Sequence, residues 1–230
     1  LVKYHMIEVR KTPISIFLIV SILIVISDAA YPQSELPQLA RLHYDGGGDW
    51  YNDPDTLPNL VEFLNRTIKT NFSSVQAVVR PSEANLFDYP FIFMTGHGNV
   101  SFSEREAKNL REYLLKGGFL YADDDYGMDP SFRREIRRVF PDREFVELPV
   151  NHEIFHSFYS FPEGLPKIHE HDGKRPQAFA VFDDTGRLMV LYTYESNISD
   201  AWTAAHDNPP EVREEAFRMG ANMMYYIMTQ

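Results

Sequence analysis

Short uncharged runs that stop abruptly at glycine or aspartate recur through this chain, and segments of helical period alternate with them. Phe91 to Thr95 stops at Gly96-His97-Gly98, and Gly118 to Ala122 runs straight into Asp123-Asp124-Asp125. A strand with apolar residues on both faces must be covered on both, which an antiparallel sheet with one wet side does not provide. The alternation therefore predicts βα units around a mostly parallel sheet. Leu39 to Tyr44, ending in Asp45-Gly46-Gly47-Gly48, Val75 to Val79 and Phe145 to Leu148 extend the series. Ala178 to Phe182 and Leu188 to Tyr194, joined through Asp183-Asp184-Thr185-Gly186, predict a hairpin with a type I′ or related turn.

The helices are bounded by their own signals. Asp55 is placed to cap a helix with Pro58 in its first turn and Leu60, Val61, Phe63, Leu64 and Ile68 on one face. Ser103 with Glu106 forms a capping box ahead of Ala107, Leu110, Tyr113 and Leu114, and Gly117 is the expected stop. Ser131 to Val139 carries Arg133, Arg134, Arg137 and Arg138 and reads as a solvated basic face. Glu211 to Met228 follows Pro209-Pro210 and turns Val212, Ala216, Met219, Met223 and Ile227 inward. With no repeat or low-complexity linker, residues 36 to 230 read as a single α/β domain.

Ahead of it, Lys3, Arg10 and Lys11 precede an uncharged apolar run from Ile14 to Ile26, then Ser27-Asp28-Ala29-Ala30. The run is shorter than the roughly 20 residues a spanning helix needs. It reads as a signal peptide over residues 1–29, which predicts an exported protein, periplasmic or secreted. An uncleaved N-terminal anchor is the alternative.

Lys+Arg 22 against Asp+Glu 33 leaves a net charge of −11, whose field repels phosphate backbones and argues against nucleic acid as a partner. The absence of cysteine excludes disulfides, thiolate nucleophiles and cysteine-bound metals. Chemistry must then come from His, Asp, Glu, Ser, Thr, Tyr or Lys.

Ligands of open α/β sheets bind beyond the carboxyl ends of parallel strands. That rule selects Asp45, Gly46, Gly47, Gly48 and Asp49 after the first strand, Gly96, His97 and Gly98 after the third, Asp123 to Asp125 after the fourth, and Glu195 after Tyr194. Glycines beside His97 let a ligand approach the backbone. His97, Asp123 and Asp124 are the expected catalytic groups, and Asp45, His97, Asp123, His169 and His171 the expected ligands if a divalent metal ion serves as cofactor. Trp50 and Tyr126 offer aromatic faces of the kind that hold sugar rings. His152-Glu153-Ile154-Phe155-His156 matches the H-E-x-x-H pattern of zinc proteases, but Pro149 and Pro162 bracket it and no third ligand follows at a helical spacing. In His169-Glu170-His171-Asp172 an extended backbone would turn both imidazoles to one side.

Several stretches occur in one order: Tyr44-Asp45-Gly46-Gly47-Gly48-Asp49-Trp50-Tyr51, Met94-Thr95-Gly96-His97-Gly98, Gly117-Gly118-Phe119-Leu120 with Ala122-Asp123-Asp124, Phe132-Arg133-Arg134-Glu135, and His169-Glu170-His171-Asp172-Gly173. Together they resemble the bacterial family numbered four-one-five-nine among the domains of unknown function. The resemblance implies a branch of the class I glutamine amidotransferase-like superfamily, with a flavodoxin-like, mostly parallel sheet and helices on both faces. True amidotransferases carry a cysteine where this chain has Asp123-Asp124-Asp125, so thiol chemistry on glutamine is excluded. Related domains fused to envelope-associated membrane proteins imply an envelope protein as a possible partner class.

Two expectations result. One is a metal-assisted hydrolase acting on a small-molecule, carbohydrate or cell-envelope substrate. The other is a non-catalytic binding or assembly module of an envelope complex.

Overall fold

Alternation along the strands sorts the interior into two layers. The computed structural model describes residues 36–230; the expected signal peptide lies outside the described residues. The elements are β1 (Ala40–Leu42), α1 (Thr56–Thr67), β2 (Ala77–Val79), β3 (Phe91–His97), α2 (Glu104–Leu115), β4 (Phe119–Tyr126), α3 (Asp129–Val139), β5 (Val146–Glu147), β6 (Gln177–Phe182), β7 (Leu188–Tyr194) and α4 (Pro210–Thr229). Successive strand side chains point to opposite faces. Phe91, Phe93, Phe119 and Tyr121 accordingly join Leu60, Leu64, Trp202, Ala216 and Met219 on the face covered by α1 and α4. Ile92, Met94, Leu120 and Ala122 join Leu110, Leu114, Phe132 and Ile136 beneath α2 and α3. No helix among the described residues is long and apolar enough to cross a membrane.

The strands form one sheet in the order β2-β1-β3-β4-β7-β6-β5. β1, β2, β3, β4 and β7 pair in parallel, whereas β6 runs against both β7 and β5. The chain is thus an α/β protein with a mostly parallel mixed sheet. Because β1 is followed outward by β2 and on its other side by β3, the strand order reverses between β1 and β3. A crevice opens at such a reversal, beyond the carboxyl ends.

Four expectations need correction. β4 extends through Asp123, Asp124 and Asp125 to Tyr126, so the three aspartates are strand residues. Asp55 makes no side-chain cap for α1; it accepts instead from Thr203 Oγ1 at 2.6 Å and tethers the segment before α4. The arginines of α3 are not simply solvated: the Arg133 guanidinium lies 4.0 Å from the Phe179 ring centroid, and Arg134 and Arg138 both pair with buried Glu135. The turn before β7 is closed by Asp183 N–H donating to Arg187 O at 3.0 Å around Gly186 at φ +86°, a three-residue loop rather than a two-residue type I′ turn.

The capping box of α2 forms as its residues require: Ser103 Oγ accepts from Glu106 N–H, and Glu106 accepts from Ser103 N–H at 2.9 Å. Gly117, at φ +109°, ends the helix. Ser103→Ala should lower unfolding stability by about 1 kcal/mol. Urea titrations of both proteins check this; an unchanged midpoint would show that α2 is held by packing alone.

Candidate functional site at the strand ends

Arg41 sets the shape of the site from below. Alternation on β1 sends it to the α1 side, where it is 1% exposed and stacks over Phe93. Its guanidinium donates to the carbonyls of Trp50, Asn52 and Asp53 at 3.1, 2.7 and 2.8 Å. Burial lowers its pKa to about 10, and the charges of Asp53 and Asp55 oppose that fall. The loop after β1 is therefore pinned by its backbone, and Asp53 is held at φ +46°.

Within that loop Asp49 reaches His97 at the end of β3. Its Oδ2 is 2.9 Å from His97 Nδ1, and its Oδ1 accepts the His97 backbone N–H. Gly96 makes the approach possible, since at φ +145° an added Cβ would stand 2.3 Å from Tyr44 Oη and 2.9 Å from Asp49 Oδ1. Asp125 Oδ2, from β4, lies 3.3 Å from the same Nδ1. A carboxylate only accepts, so Nδ1 carries the hydrogen and Nε2 is the free base. Burial lowers the His97 pKa, but the charge of Asp125 and the bond to Asp49 outweigh it and raise the value above that of an ordinary histidine. Burial likewise works against the Asp49 charge, and the His97 backbone and ring donors overcome it.

The three aspartates of β4 divide by face. Asp123 is fully buried, with Oδ1 on the Thr193 hydroxyl and Oδ2 accepting from Ser199 N–H at 2.6 Å. Asp124 points to the other layer and accepts from Met128 N–H at 2.8 Å, at the start of α3. Neither reaches the strand-end surface, so the expected catalytic roles of Asp123 and Asp124, and metal ligation by Asp123, are not what their placement offers. Asp125 is the member of the triplet that faces His97. Asn52 and Asn197 donate to its two oxygens, Asn197 at 2.7 Å. Burial raises its pKa, with His97 and Asn197 opposing.

A second histidine group adjoins this one. His206 Nε2 is 3.0 Å from both oxygens of Asp53 and 3.3 Å from Asp200 Oδ1, while His169 Nε2 is 2.8 Å from Asp200 Oδ2. Donor atoms of Asp53, Asp200 and His206 all lie within 4.8 Å of one another, the group among the described residues with metal-ligand spacing. Asp49 and Asp53 belong to the one loop that Arg41 pins, so the two histidine groups adjoin.

Other expected residues have separate placements. Asp45 turns to Arg80 at 3.1 Å, so it does not join His97. Gly46 and Gly48 pack against the Asn99 backbone, and Gly47 has open space about it. Trp50 is stacked on His43 at 3.9 Å, with Tyr51 edge-on to it and 64% exposed. Tyr126, the last residue of β4, pairs in register with His97, accepts from Gly98 N–H at 3.4 Å and is 52% exposed. Glu195 is buried, bonded by Lys167 Nζ at 3.1 Å, and fastens the segment carrying His169 and His171. That segment is not extended: His171 sits at φ +41°, with its ring edge-on to Tyr126 at 5.4 Å and to His169 at 6.3 Å, and of the two histidines it is His169 that pairs with Asp200. In the H-E-x-x-H stretch only Glu153–Phe155 is helical, as a 3-10 turn; His152 accepts from Ile154 N–H and His156 Nε2 is 3.1 Å from Val150 O, so the two rings do not form an i, i+4 pair. Grooves of about 450 Å³ between α1 and α4, and of about 510 Å³ between residues 159–166 and α4, lie elsewhere and have no histidine in their lining.

Sequence reasoning missed Asp53, Asp200 and His206. Asp53 followed the marked Asp49-Trp50 stretch, but Asp200 and His206 stand beyond the last strand, where no run or spacing distinguishes them.

Buried Asp124 and Asp123, at pKa values of about 7 and 6, retain protons that the unfolded chain releases near pH 4. Their contribution to stability therefore falls as pH rises from about 4 to 7. Asp124→Asn should keep the bond from Met128 and shrink the loss of melting temperature between pH 4.5 and 7.5. An equal loss in both proteins would place the effect at other groups.

Residues 38–228 match a family described as Domain of unknown function (DUF4159). No curated protein matches the chain.

Proposed function

We propose, for a chain that belongs to the DUF4159 family, a hydrolytic role at the strand ends, on a carbohydrate or cell-envelope substrate. The observation that carries the reading is His97: Asp49 holds its Nδ1 at 2.9 Å, and the half-exposed ring leaves Nε2 with no partner among the described residues. An imidazole oriented through one nitrogen and open at the other is the arrangement of a general base. His97 Nε2 takes a proton from water, the hydroxide adds to the electrophilic carbon of the substrate, and the same proton passes to the departing oxygen. Asp49 and Asp125 stabilise the imidazolium formed in between.

Exposed Tyr126, in register with this base, supplies a flat apolar face for a sugar ring, and Tyr51, two residues after Asp49, is exposed as well. The order of the parallel strands, β2-β1-β3-β4-β7, corresponds to the flavodoxin-like type and supports placing the fold there, beside the class I glutamine amidotransferases. The base lies at the β1/β3 reversal of that order. Export to the periplasm or beyond, through the N-terminal apolar run, completes the reading.

The test is turnover by the full chain of a panel of chromogenic glycosides and acylated sugars. His97→Gln and Asp49→Asn should each lower kcat by about 10²–10⁴, with melting temperatures within a few degrees of wild type. Wild-type turnover in His97→Gln would sink the hydrolytic role and return the chain to a binding or assembly module of an envelope complex.

A further inference from the structure

Four carboxylates, of Asp49, Asp53, Asp125 and Asp200, meet at the strand ends, and the ion pairs they make among the described residues are all with histidines. Arg41, whose charge reaches Asp53, spends its NH groups mainly on backbone carbonyls. Such a group of carboxylates calls for a compensating cation. Three carboxylate oxygens, two from Asp53 and one from Asp200, converge on His206 Nε2 at 3.0 to 3.3 Å, yet that nitrogen carries at most one hydrogen.

An independent observation comes from the amides around Asp125. Asn197 is 3% exposed and gives its Nδ2 to Asp125 Oδ1 at 2.7 Å. Because a carboxylate cannot donate, the amide is fixed in this sense, and its Oδ1 is left buried with no partner among the described residues. Asn52, whose Nδ2 goes to the other Asp125 oxygen, leaves its own Oδ1 in the same condition. Each amide held by Asp125 thus leaves a buried acceptor unmatched, which is costly in a region already rich in carboxylates.

We propose that Asp53, Asp200 and His206 form the binding site of a first-row divalent metal ion, zinc or manganese. Imidazole nitrogen with carboxylate oxygen is the donor set these ions accept, and hard calcium or magnesium sites rarely include imidazole. His169, bonded to the far oxygen of Asp200, and Asn208, which donates to the same atom at 2.8 Å, orient that carboxylate as outer partners. His206 is partly exposed, so an ion can enter from solvent. The site shares its surface with His97 but does not depend on the hydrolytic reading.

The experiment is calorimetric titration of the full chain, purified without affinity histidines and stripped with chelator, with zinc or manganese chloride alone, alongside metal content by mass spectrometry. Wild type should take up one equivalent. Asp53→Asn and His206→Gln should each weaken binding about tenfold or more, whereas His97→Gln should bind as wild type while losing turnover. Absence of binding by wild type with native circular dichroism would overturn the site, as would unchanged affinity in Asp53→Asn. Should His206→Gln fail to fold, Asp53→Asn decides, because among the described residues its side chain is bonded to His206 alone. Metal binding without hydrolysis would leave this site standing and remove only the proposed reaction.

Discussion

Three consecutive carboxylates at the end of a buried strand are tolerated only if each finds its own donors. β4 meets that condition by its period of two. Asp123 goes into one layer and ties β7 to the segment leading to α4, through Thr193 and Ser199. Asp124 goes into the other and starts α3 through Met128 N–H. Asp125, last before the edge, is left for His97, Asn52 and Asn197. Two of the three therefore act as internal fasteners, and the third, itself only 7% exposed, is the one turned toward His97. The uncompensated part of that burial appears as raised carboxyl pKa values, about 6 for Asp123 and about 7 for Asp124.

Arg41 makes the complementary contribution from the cationic side. Burying a guanidinium is expensive unless its donors are met. Here they are met by the carbonyls of the loop after β1, so one side chain converts a glycine-rich, aromatic loop into a fixed wall. The same loop supplies Asp49 to His97 and Asp53 to His206. The two histidines consequently pair with opposite ends of one short loop, which sets the proposed base beside the proposed cation site.

The sheet was legible in the sequence because uncharged runs such as Phe91 to Thr95 have few other ways to bury both faces. The capping box at Ser103 was legible for a local reason: its donors and acceptors lie within one helical turn. Local signals failed where tertiary partners competed for the same groups. Asp55 looks like a cap but is taken by Thr203, far along the chain. Arg133 looks solvated but finds a bed of aromatic rings on β6 and β7. His152 and His156 fit a metal motif, yet their segment forms only a short 3-10 turn, so the spacing on which the motif depends never arises.

The sequence by itself determined the βα alternation, the exclusion of thiol chemistry and the strand-end position of His97, since these depend on composition and on residues near one another in the chain. The tertiary structure alone decided which aspartate faces His97 and which carboxylates gather around His206. Asp53 comes from the loop after β1, and Asp200 and His206 come from the connection between β7 and α4, about 150 residues on, so only the folding of the two connections over the strand ends brings their donor atoms within 4.8 Å.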